Sequence, residues 1–228
     1  METLLSIDTI DTACSVALWH QGQCFSQSAQ EKHQHHKLVL PMIQNVLKQA
    51  GVSAQSLSAI SMNKGPGSFV GSRISAALIQ GLAYRHQIPI ILISHLQLLA
   101  YKIFETEAVT SCYIALDAKR EALYFAHYEK SQSATPKTSI QDQLLSLSAL
   151  ETLSWEPNSL FVSNMTEEGI LLECVTKQKL TLKPYYPLYA PDHYAIALEA
   201  YNKGLLSKPN QALPCYIRGA EMWKKTTK

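Results

Sequence analysis

The pattern of apolar and polar residues divides the chain into short strands and amphipathic helices. Apolar runs of strand length alternate with segments in which apolar residues recur every three or four positions. In the first half this pattern predicts a hairpin at 4–24, a strand at 25–29, a helix at 38–50, a strand at 57–62, a helix at 71–85, a strand at 89–94 and a helix at 95–104. Three strands followed by alternating helices and strands predict a mixed sheet with helices on both faces.

The second half opens like the first. Segments 4–24 and 112–130 each hold an apolar strand ending in aspartate (Asp8 or Asp117), then a polar turn and a second β-rich run. An aromatic and proline-rich connection at 185–191 is expected to pack across a surface groove. The other predicted elements are a loop at 131–139, a helix at 144–153, a strand at 160–163, a helix at 194–203 and an extended end at 212–219. We predict a duplicated α/β unit with two domains, 1–107 and 108–228.

Composition narrows the class of protein without naming a chemistry. The 228 residues are 46% hydrophobic and 17% charged with a net charge of +2, which is typical of a globular protein and gives no strong field for nucleic acid or membrane. We expect no secretory signal and no membrane span, because no basic region opens the chain and no apolar run is long enough. Five scattered cysteines without a CxxC pair indicate reduced thiols, so we expect a cytoplasmic protein.

The glycine-rich stretch GPGSFVGSR at 65–73 precedes a predicted helix, an arrangement that can bind phosphate. A phosphate-binding P-loop needs four residues between its glycines and then Lys and Ser or Thr, but here three residues separate Gly67 from Gly71 and no Lys follows. The dinucleotide-binding pattern G-x-G-x-x-G is also not matched. Spacing therefore favours a turn over a phosphate site.

The hairpin that contains Asp8 is the better candidate for a nucleotide-binding site. An aspartate at the end of a strand, followed by Thr9 and Thr12, can hold hydrated Mg²⁺ and phosphate. The same residue types also favour tight turns through bonds from side chain to backbone, and spacing alone favours the turn.

Two other kinds of site are weakly supported. His33, His35 and His36 are clustered, but no acidic or thiolate ligand lies nearby in sequence, so a solvated helix start is favoured over a metal site. Hydrolase chemistry has little support, because the chain has no G-x-S-x-G motif and no cysteine with an identifiable histidine base.

Five segments resemble a known family in order and spacing: LLSIDTIDTACSVALW, HHKLVLPMI, NKGPGSFVGSRI, LDAKREALY and LPCYIR. Over residues 4–218 the chain is similar to the TsaB (YeaZ) family, which acts in making threonylcarbamoyladenosine in tRNA. The resemblance implies a duplicated actin-like (sugar kinase, Hsp70-like and RNase H-like) α/β fold with two mixed sheets. It also implies a non-catalytic subunit that partners the paralogue TsaD, which transfers threonylcarbamoyl to N6 of adenosine 37 in tRNAs reading ANN codons.

The resemblance also implies which groups this chain lacks. TsaD binds a metal through two histidines four residues apart and an aspartate, and the matching positions here are His95 and Leu99. One histidine leaves too few ligands, so we expect His95 to be a satisfied core or surface residue and the metal to reside only in the partner. No cofactor is expected to be required, and weak binding of ATP or ADP with Mg²⁺ at Asp8, Thr9 and Thr12 is left open.

In this family the helix after the glycine loop, together with helix 38–50, packs against the partner. The sequence supports this, because helix 71–85 carries two apolar stripes and a helix of that kind must be covered twice. The predicted interface residues are Leu40, Ile43, Gly71, Ile74, Ser75, Leu78, Ile79 and Leu82.

Other assemblies and functions are left open at this point. The resemblance implies a TsaD-like partner, a TsaE-like ATPase in a ternary complex, and tRNA contact mainly through the partner. A homodimer of the isolated chain is a further option. The alternative functions are a stand-alone nucleotide-dependent phosphotransferase and a peptidase.

Overall fold

The computed structural model describes residues 2–11, 13–30, 35–156, 159–165 and 169–217. The first sheet has the strand order β3-β2-β1-β4-β5, in which β1 is antiparallel to β2 and parallel to β4. Its strands are β1 (Thr3–Asp8), β2 (Cys14–His20), β3 (Gln23–Ala29), β4 (Ala59–Asn63) and β5 (Ile90–Ile93).

The second sheet repeats this arrangement with the order β10-β9-β6-β7-β8. Its first strand is again antiparallel to the second and parallel to the fourth. The strands are β6 (Ser111–Asp117), β7 (Ala122–Glu129), β8 (Lys137–Ser146), β9 (Leu160–Ser163) and β10 (Thr181–Pro184). The predicted duplicated α/β fold with two mixed sheets is therefore confirmed.

Five α-helices cover the sheets in the described part of the chain. Helices α1 and α2 share one apolar cluster with the first sheet, whereas α3 and α5 share another with strands of both sheets. The helices are α1 (His35–Gln49), α2 (Phe69–His86), α3 (His95–Thr106), α4 (Gly169–Lys177) and α5 (Tyr194–Asn202). Because α3 and α5 lie in the core between the sheets, the two halves pack against one another across buried side chains.

The prediction for 131–153 was wrong in part. Strand β8 already begins at Lys137, inside the predicted loop, and the predicted helix at 144–153 is the end of β8 followed by a short 3₁₀ helix at Leu147–Thr152. Leucine repeats there imitate a helical period, but β8 is an edge strand whose side chains are mostly exposed or half-buried. Helix α4 and strand β10 were missed.

The segment after α5 returns to the first half of the molecule. Ser207 forms a β-bridge with Ile90, and the amide of Cys215 donates to the carbonyl of Lys64 at 2.7 Å. The division at residue 107 stays a prediction, since residues 207–215 lie against the first sheet and its helices. No helix of the described residues is long and apolar enough to cross a membrane.

Candidate functional site

The end of β1 places Asp8 in a fully buried position at the middle of the first sheet. Its Oδ2 accepts a hydrogen bond from Asn63 Nδ2 at 2.8 Å and lies 3.0 Å from His193 Nε2. Its Oδ1 accepts from the amide of Ile10 at 2.9 Å. Asn63 comes from the end of the neighbouring strand β4, whereas His193 comes from just before α5. The carboxylate is therefore surrounded by groups of the protein itself.

His193 extends this network to two serines. Its Nδ1 lies 3.2 Å from Ser61 Oγ, and Ser61 Oγ donates to Ser6 Oγ at 2.7 Å. Serine, histidine and aspartate thus occur in the order used by serine hydrolases. However, the exposed fractions of Ser61, His193 and Asp8 are 1%, 0% and 0%, so no substrate carbonyl can reach the serine. The arrangement is a buried structural link.

A second branch of the network runs through His95. Asn63 Nδ2 lies 2.9 Å from His95 Nδ1, and His95 Nε2 lies 3.2 Å from the hydroxyl of Tyr185. That hydroxyl donates to Asp11 Oδ2 at 2.5 Å. His95 is buried and both ring nitrogens have partners, which confirms the prediction of a satisfied histidine.

Burial and charge fix the protonation states at this site. Burial raises the pKa of Asp8. The hydrogen bond and the charge of His193 lower it by more, with contributions from His95 and Asn63, so the pKa of Asp8 lies below its usual value. Burial lowers the pKa of His95 despite the nearby Asp8 and Asp11. Asp8 is therefore anionic and His95 neutral near pH 7. A Mg²⁺ ion at Asp8 would have to displace these internal bonds.

Residues 185–193, which we call the strap, cross the carboxyl end of the first sheet. The amide of Leu188 donates to Asp11 Oδ2 at 3.1 Å, and the amide of Ala190 donates to Ser15 Oγ at 2.8 Å. His193, the last residue of the strap, contacts the side chain of Asp8. The prediction that this aromatic and proline-rich connection packs across a groove is confirmed, and the strap occupies the space in front of Asp8.

The other two residues predicted to bind nucleotide have different positions. Thr9 is fully buried, and its hydroxyl donates to the carbonyl of Gly71 at 2.6 Å and lies 2.6 Å from Ser75 Oγ. Thr12 lies outside the described residues. Nucleotide binding at these positions stays a prediction, although Asp8 and Thr9 both have internal partners.

The glycine loop brings the start of α2 against the turn after β1. A Cβ atom at Gly71 would lie 1.9 Å from the carbonyl oxygen of Thr9, so this position accepts no side chain without a shift of the backbone. Ser68 caps the helix by accepting from the amide of Gly71 at 3.1 Å. The interpretation of this loop as a turn into a helix is confirmed, and its role in an interface stays a prediction.

Helix α2 is apolar on two sides, as the sequence indicates. One side faces the core of the first sheet and includes the buried residues Ser75, Ala76, Ile79 and Ala83. The other side faces outward with the spacing of an amphipathic helix, and its exposed residues are Val70, Ala77, Gly81 and Tyr84. We call these four residues the outer face of α2. The exposed fractions are 65% for Val70 and 72% for Tyr84.

This geometry divides the predicted interface residues. Ile43, Gly71, Ser75 and Ile79 are buried in the core of this chain, and their place in a partner interface stays a prediction. Leu40 is exposed, and the partly exposed residues are Ile74, Leu78 and Leu82. The sequence showed two stripes but not which one faces outward. The hydroxyl of Ser75 is hydrogen-bonded to that of Thr9 inside the protein.

Metal ligands are not assembled in the described part of the chain. No group of three or more His, Cys, Asp or Glu residues there could hold an ion. Leu99, at the position of the second family histidine, is buried in the core between the sheets. The side chains of His33, His35 and His36 lie outside the described residues. That the metal resides only in a partner stays a prediction.

An open cleft of about 670 Å³ separates the strap and the glycine loop from the hairpin turn between β6 and β7. Asp11 and Ser68 line it from the first half, and Asp117 and Asn164 line it from the second. Asp117 is the repeat counterpart of Asp8, and its amide donates to Asn164 Oδ1 at 2.8 Å. The cleft therefore exposes the aspartate of the second repeat, whereas Asp8 does not line it.

Several known proteins are similar to this chain in sequence. The family model described as TsaD, tRNA N6-adenosine threonylcarbamoyltransferase, matches residues 27–197. The tRNA threonylcarbamoyladenosine biosynthesis protein TsaB of Escherichia coli is 28% identical over 224 residues, 97% of this chain and 97% of that protein. The protein of the same name from Haemophilus influenzae is 37% identical over 124 residues, 54% of this chain and 52% of that protein.

The solved structure of YeaZ from Pseudomonas aeruginosa superposes with a TM-score of 0.82 at 29% identity, covering 95% of this chain and 100% of that one. Together with the repeated sheets, this likeness assigns the actin-like α/β fold. The family model spans well over half of the chain, and relatives of full length carry the two names TsaB and YeaZ. The chain therefore belongs to the TsaB (YeaZ) family.

Proposed function

We propose that this chain is a non-catalytic subunit in the biosynthesis of threonylcarbamoyladenosine in tRNA. It binds a TsaD-like paralogue that performs the transfer to adenosine 37, together with a TsaE-like ATPase. The names of its relatives support the pathway, since the Escherichia coli protein is called a tRNA threonylcarbamoyladenosine biosynthesis protein and the matching family model describes the transferase.

The environment of Asp8 argues against catalysis by this chain alone. A phosphotransferase of this fold would use Asp8 for hydrated Mg²⁺, but the carboxylate is buried and bonded to Asn63 and His193. A peptidase would need Ser61 open to substrate, and Ser61 is 1% exposed. The chain requires no cofactor under this proposal, and any affinity for ATP or ADP at Asp8 is weak.

The outer face of α2 is the observation that carries the proposed role as a binding subunit. Val70 and Tyr84 are largely exposed apolar residues, and between them Ala77 and Gly81 present small side chains or none. Small residues allow a second helix to approach the backbone closely, and exposed aromatic side chains are frequent centres of binding energy. Leu40 of α1 is also exposed, at 48%. A specific contact buries about 800 Å² on each partner.

Reconstitution with the TsaD-like partner tests this proposal. The variant Ala77→Arg places a long cation on the outer face of α2, where a partner would desolvate it unpaired. We expect this variant to fold normally, to lose capture of the partner in a pull-down, and to lose modified adenosine in a reconstituted reaction. If the isolated chain forms a homodimer through the same face, sedimentation will show the variant as a monomer.

Two further variants give the experiment its controls. Gln141→Arg adds the same charge on the exposed edge of β8 and should retain partner capture. The variant Ser75→Arg places a charged side chain in the core, because Ser75 is buried, and this protein should fail to fold. The different outcomes for Ala77→Arg and Ser75→Arg distinguish the two sides of the helix. Partner capture by well-folded Ala77→Arg, with normal modification, would contradict the interface. Turnover of ATP with an acceptor by the wild-type chain alone would contradict the non-catalytic role.

A further inference from the structure

Strand β3 forms one edge of the first sheet, and its outer side is open. It pairs with β2 along all seven of its residues without a bulge, and no backbone hydrogen bond joins its other side to a described segment. A row of unpaired amide and carbonyl groups is a template for pairing with another strand. Charged residues and proline commonly block such pairing, and β3 contains neither.

The other edge strands of the described residues are protected. Strand β5 is bridged by Ser207, whose amide donates to the carbonyl of Ile90 at 2.7 Å. Strand β8 carries Lys137 and Asp142, and its pairing with β7 shifts register twice. Strand β10 has only four residues and ends at Pro184. A second copy of the chain therefore offers β3 no described edge as open as β3 itself.

The turn between β2 and β3 determines which backbone groups point outward. Both of its residues have positive φ angles, 50° at Gln21 and 78° at Gly22, as in a two-residue type I′ turn. Such a turn is closed by a hydrogen-bonded pair, here His20 and Gln23. Hydrogen-bonded and non-hydrogen-bonded pairs then alternate along the ladder. The residues of β3 whose amide and carbonyl groups point away from β2 are therefore Cys24, Ser26 and Ser28.

These outward residues are arranged symmetrically about Ser26. When two copies of β3 lie antiparallel with Ser26 opposite Ser26, Cys24 of each copy faces Ser28 of the other. Every outward amide and carbonyl group of both strands then has a partner. The side chains that face one another are small, exposed and uncharged, so neither bulk nor charge opposes the pairing.

We propose that this chain forms a symmetric dimer through β3, in which the two first sheets join into one continuous sheet about a twofold axis at Ser26. The edge is covered by a second copy, because β3 is complementary to itself in hydrogen bonds and brings no like charges together. Both copies use the same surface, so the assembly closes as a dimer and does not grow into a filament. A contact of one strand is small, and small contacts are typical of transient association, so dimerisation depends on concentration.

This dimer differs from any assembly through the outer face of α2. Helix α2 packs against β4, whereas β3 lies beyond β1 and β2 in the same sheet. The outer face of α2 is not part of the contact. The inference therefore does not rest on the proposed function, and it is tested on the chain without a TsaD-like partner.

Sedimentation velocity of the full chain over a range of concentrations tests the dimer. We expect the wild type to shift from monomer towards dimer as its concentration rises. Ser26→Pro removes an outward amide at the centre of the contact without removing a bond to β2. The hydrogen bonds across the axis are then lost, which should weaken association by roughly tenfold or more.

A matched pair of lysine variants tests the same point by charge. Ser26→Lys places two like charges opposite one another on the axis and should also weaken the dimer. Gln143→Lys adds the same charge on the exposed edge of β8 and should leave association unchanged. Ala77→Arg, on the outer face of α2, should leave this dimer intact as well.

Disulfide trapping tests the register. On a Cys24→Ser background, Ser26→Cys brings the two new thiols opposite one another, with Cα atoms about 5.5 Å apart, and oxidation should link the copies. Ser28→Cys on that background should give no link, because the two positions lie about 14 Å apart along the strands. Ser28→Cys with Cys24 retained should be linked, since the two residues face one another. The Cys24→Ser chain alone controls for the partly exposed Cys215.

Three results would overturn the inference. One is a wild-type chain that stays monomeric at every concentration. Another is a dimer that is as strong in the folded Ser26→Lys variant as in the wild type, because it would use another surface. The third is a link between the copies in Cys24→Ser/Ser28→Cys, which would contradict the register. Circular dichroism checks that each variant is folded, and if Ser26→Pro fails to fold, Ser26→Lys still decides the question.

Discussion

Asp8 and His193 lie 3.0 Å apart inside the protein, although 185 positions separate them in the sequence. Asp8 ends the first strand, and His193 ends the strap that returns from the second half. The pair joins the strap to the first sheet at the end of β1, so this contact holds the two halves together.

Removing one member of this pair should destabilise the protein strongly. His193→Ala leaves the Asp8 carboxylate buried without one of its partners, a change that typically costs about 3–5 kcal/mol. Urea denaturation followed by circular dichroism would measure the loss. The double variant Asp8→Asn/His193→Ala should lose less than the sum of the two single variants, because the uncompensated charge is absent.

The control for this prediction is His20→Ala, which removes a partly exposed histidine that lies 2.8 Å from the Thr3 hydroxyl at the far end of the sheet. Its cost should be smaller than that of His193→Ala. Equal costs for the two variants would mean that the Asp8 pair contributes no more than a surface hydrogen bond.

The stability of the protein should fall as the pH is lowered from 7 towards 5. Burial holds the pKa of His95 below the ordinary value of 6.5. The unfolded chain therefore binds a proton below pH 6.5 that the folded chain does not yet bind, which favours unfolding by up to about 1.4 kcal/mol per pH unit. The pKa of Asp8 is lowered below 3.8, so its contribution is lost only at lower pH and does not interfere in this window.

Denaturation curves at several pH values would show the effect of His95. The variant His95→Gln should have a shallower dependence between pH 6.5 and 5, whereas His86→Gln, at the end of α2, should keep the wild-type slope. A slope in His95→Gln as steep as in the wild type would assign the effect elsewhere. The natural candidate would then be His127, whose pKa is also lowered by burial.

The sequence predicted what depends on local periodicity. The predicted helix at 71–85 corresponds to Phe69–His86 in the structure. It could be predicted because the alternation of buried and exposed faces depends on residues that are close together in the sequence. His193 could not be assigned to Asp8 in this way, since nothing in the residues beside it indicates a contact across 185 positions. The sequence also did not show which side of α2 faces outward, because choosing between two apolar stripes requires knowing where the sheet lies.

Two glycines of α2 should respond in opposite ways to the same substitution. Gly71→Ala would place a Cβ atom 1.9 Å from the carbonyl oxygen of Thr9. The backbone of Thr9 cannot move away without separating the helix from the turn after β1. We expect a loss of at least about 1–3 kcal/mol, as for overpacked cores. Gly81→Ala meets no atom within 4 Å and should stabilise the helix by about 0.5–1 kcal/mol.

The Gly81→Ala variant also separates stability from binding. Gly81 lies on the outer face of α2, where a partner helix would approach the backbone closely, so an added methyl group should raise the melting temperature while weakening capture of the TsaD-like partner. Thermal melts of the isolated chain and a pull-down of the same sample measure the two effects. If Gly81→Ala is stabilised and binds the partner as tightly as the wild type, the partner does not approach the helix at this position. If the Gly71→Ala variant has the melting temperature of the wild type, close packing on Thr9 is not the reason why a glycine stands at the start of α2.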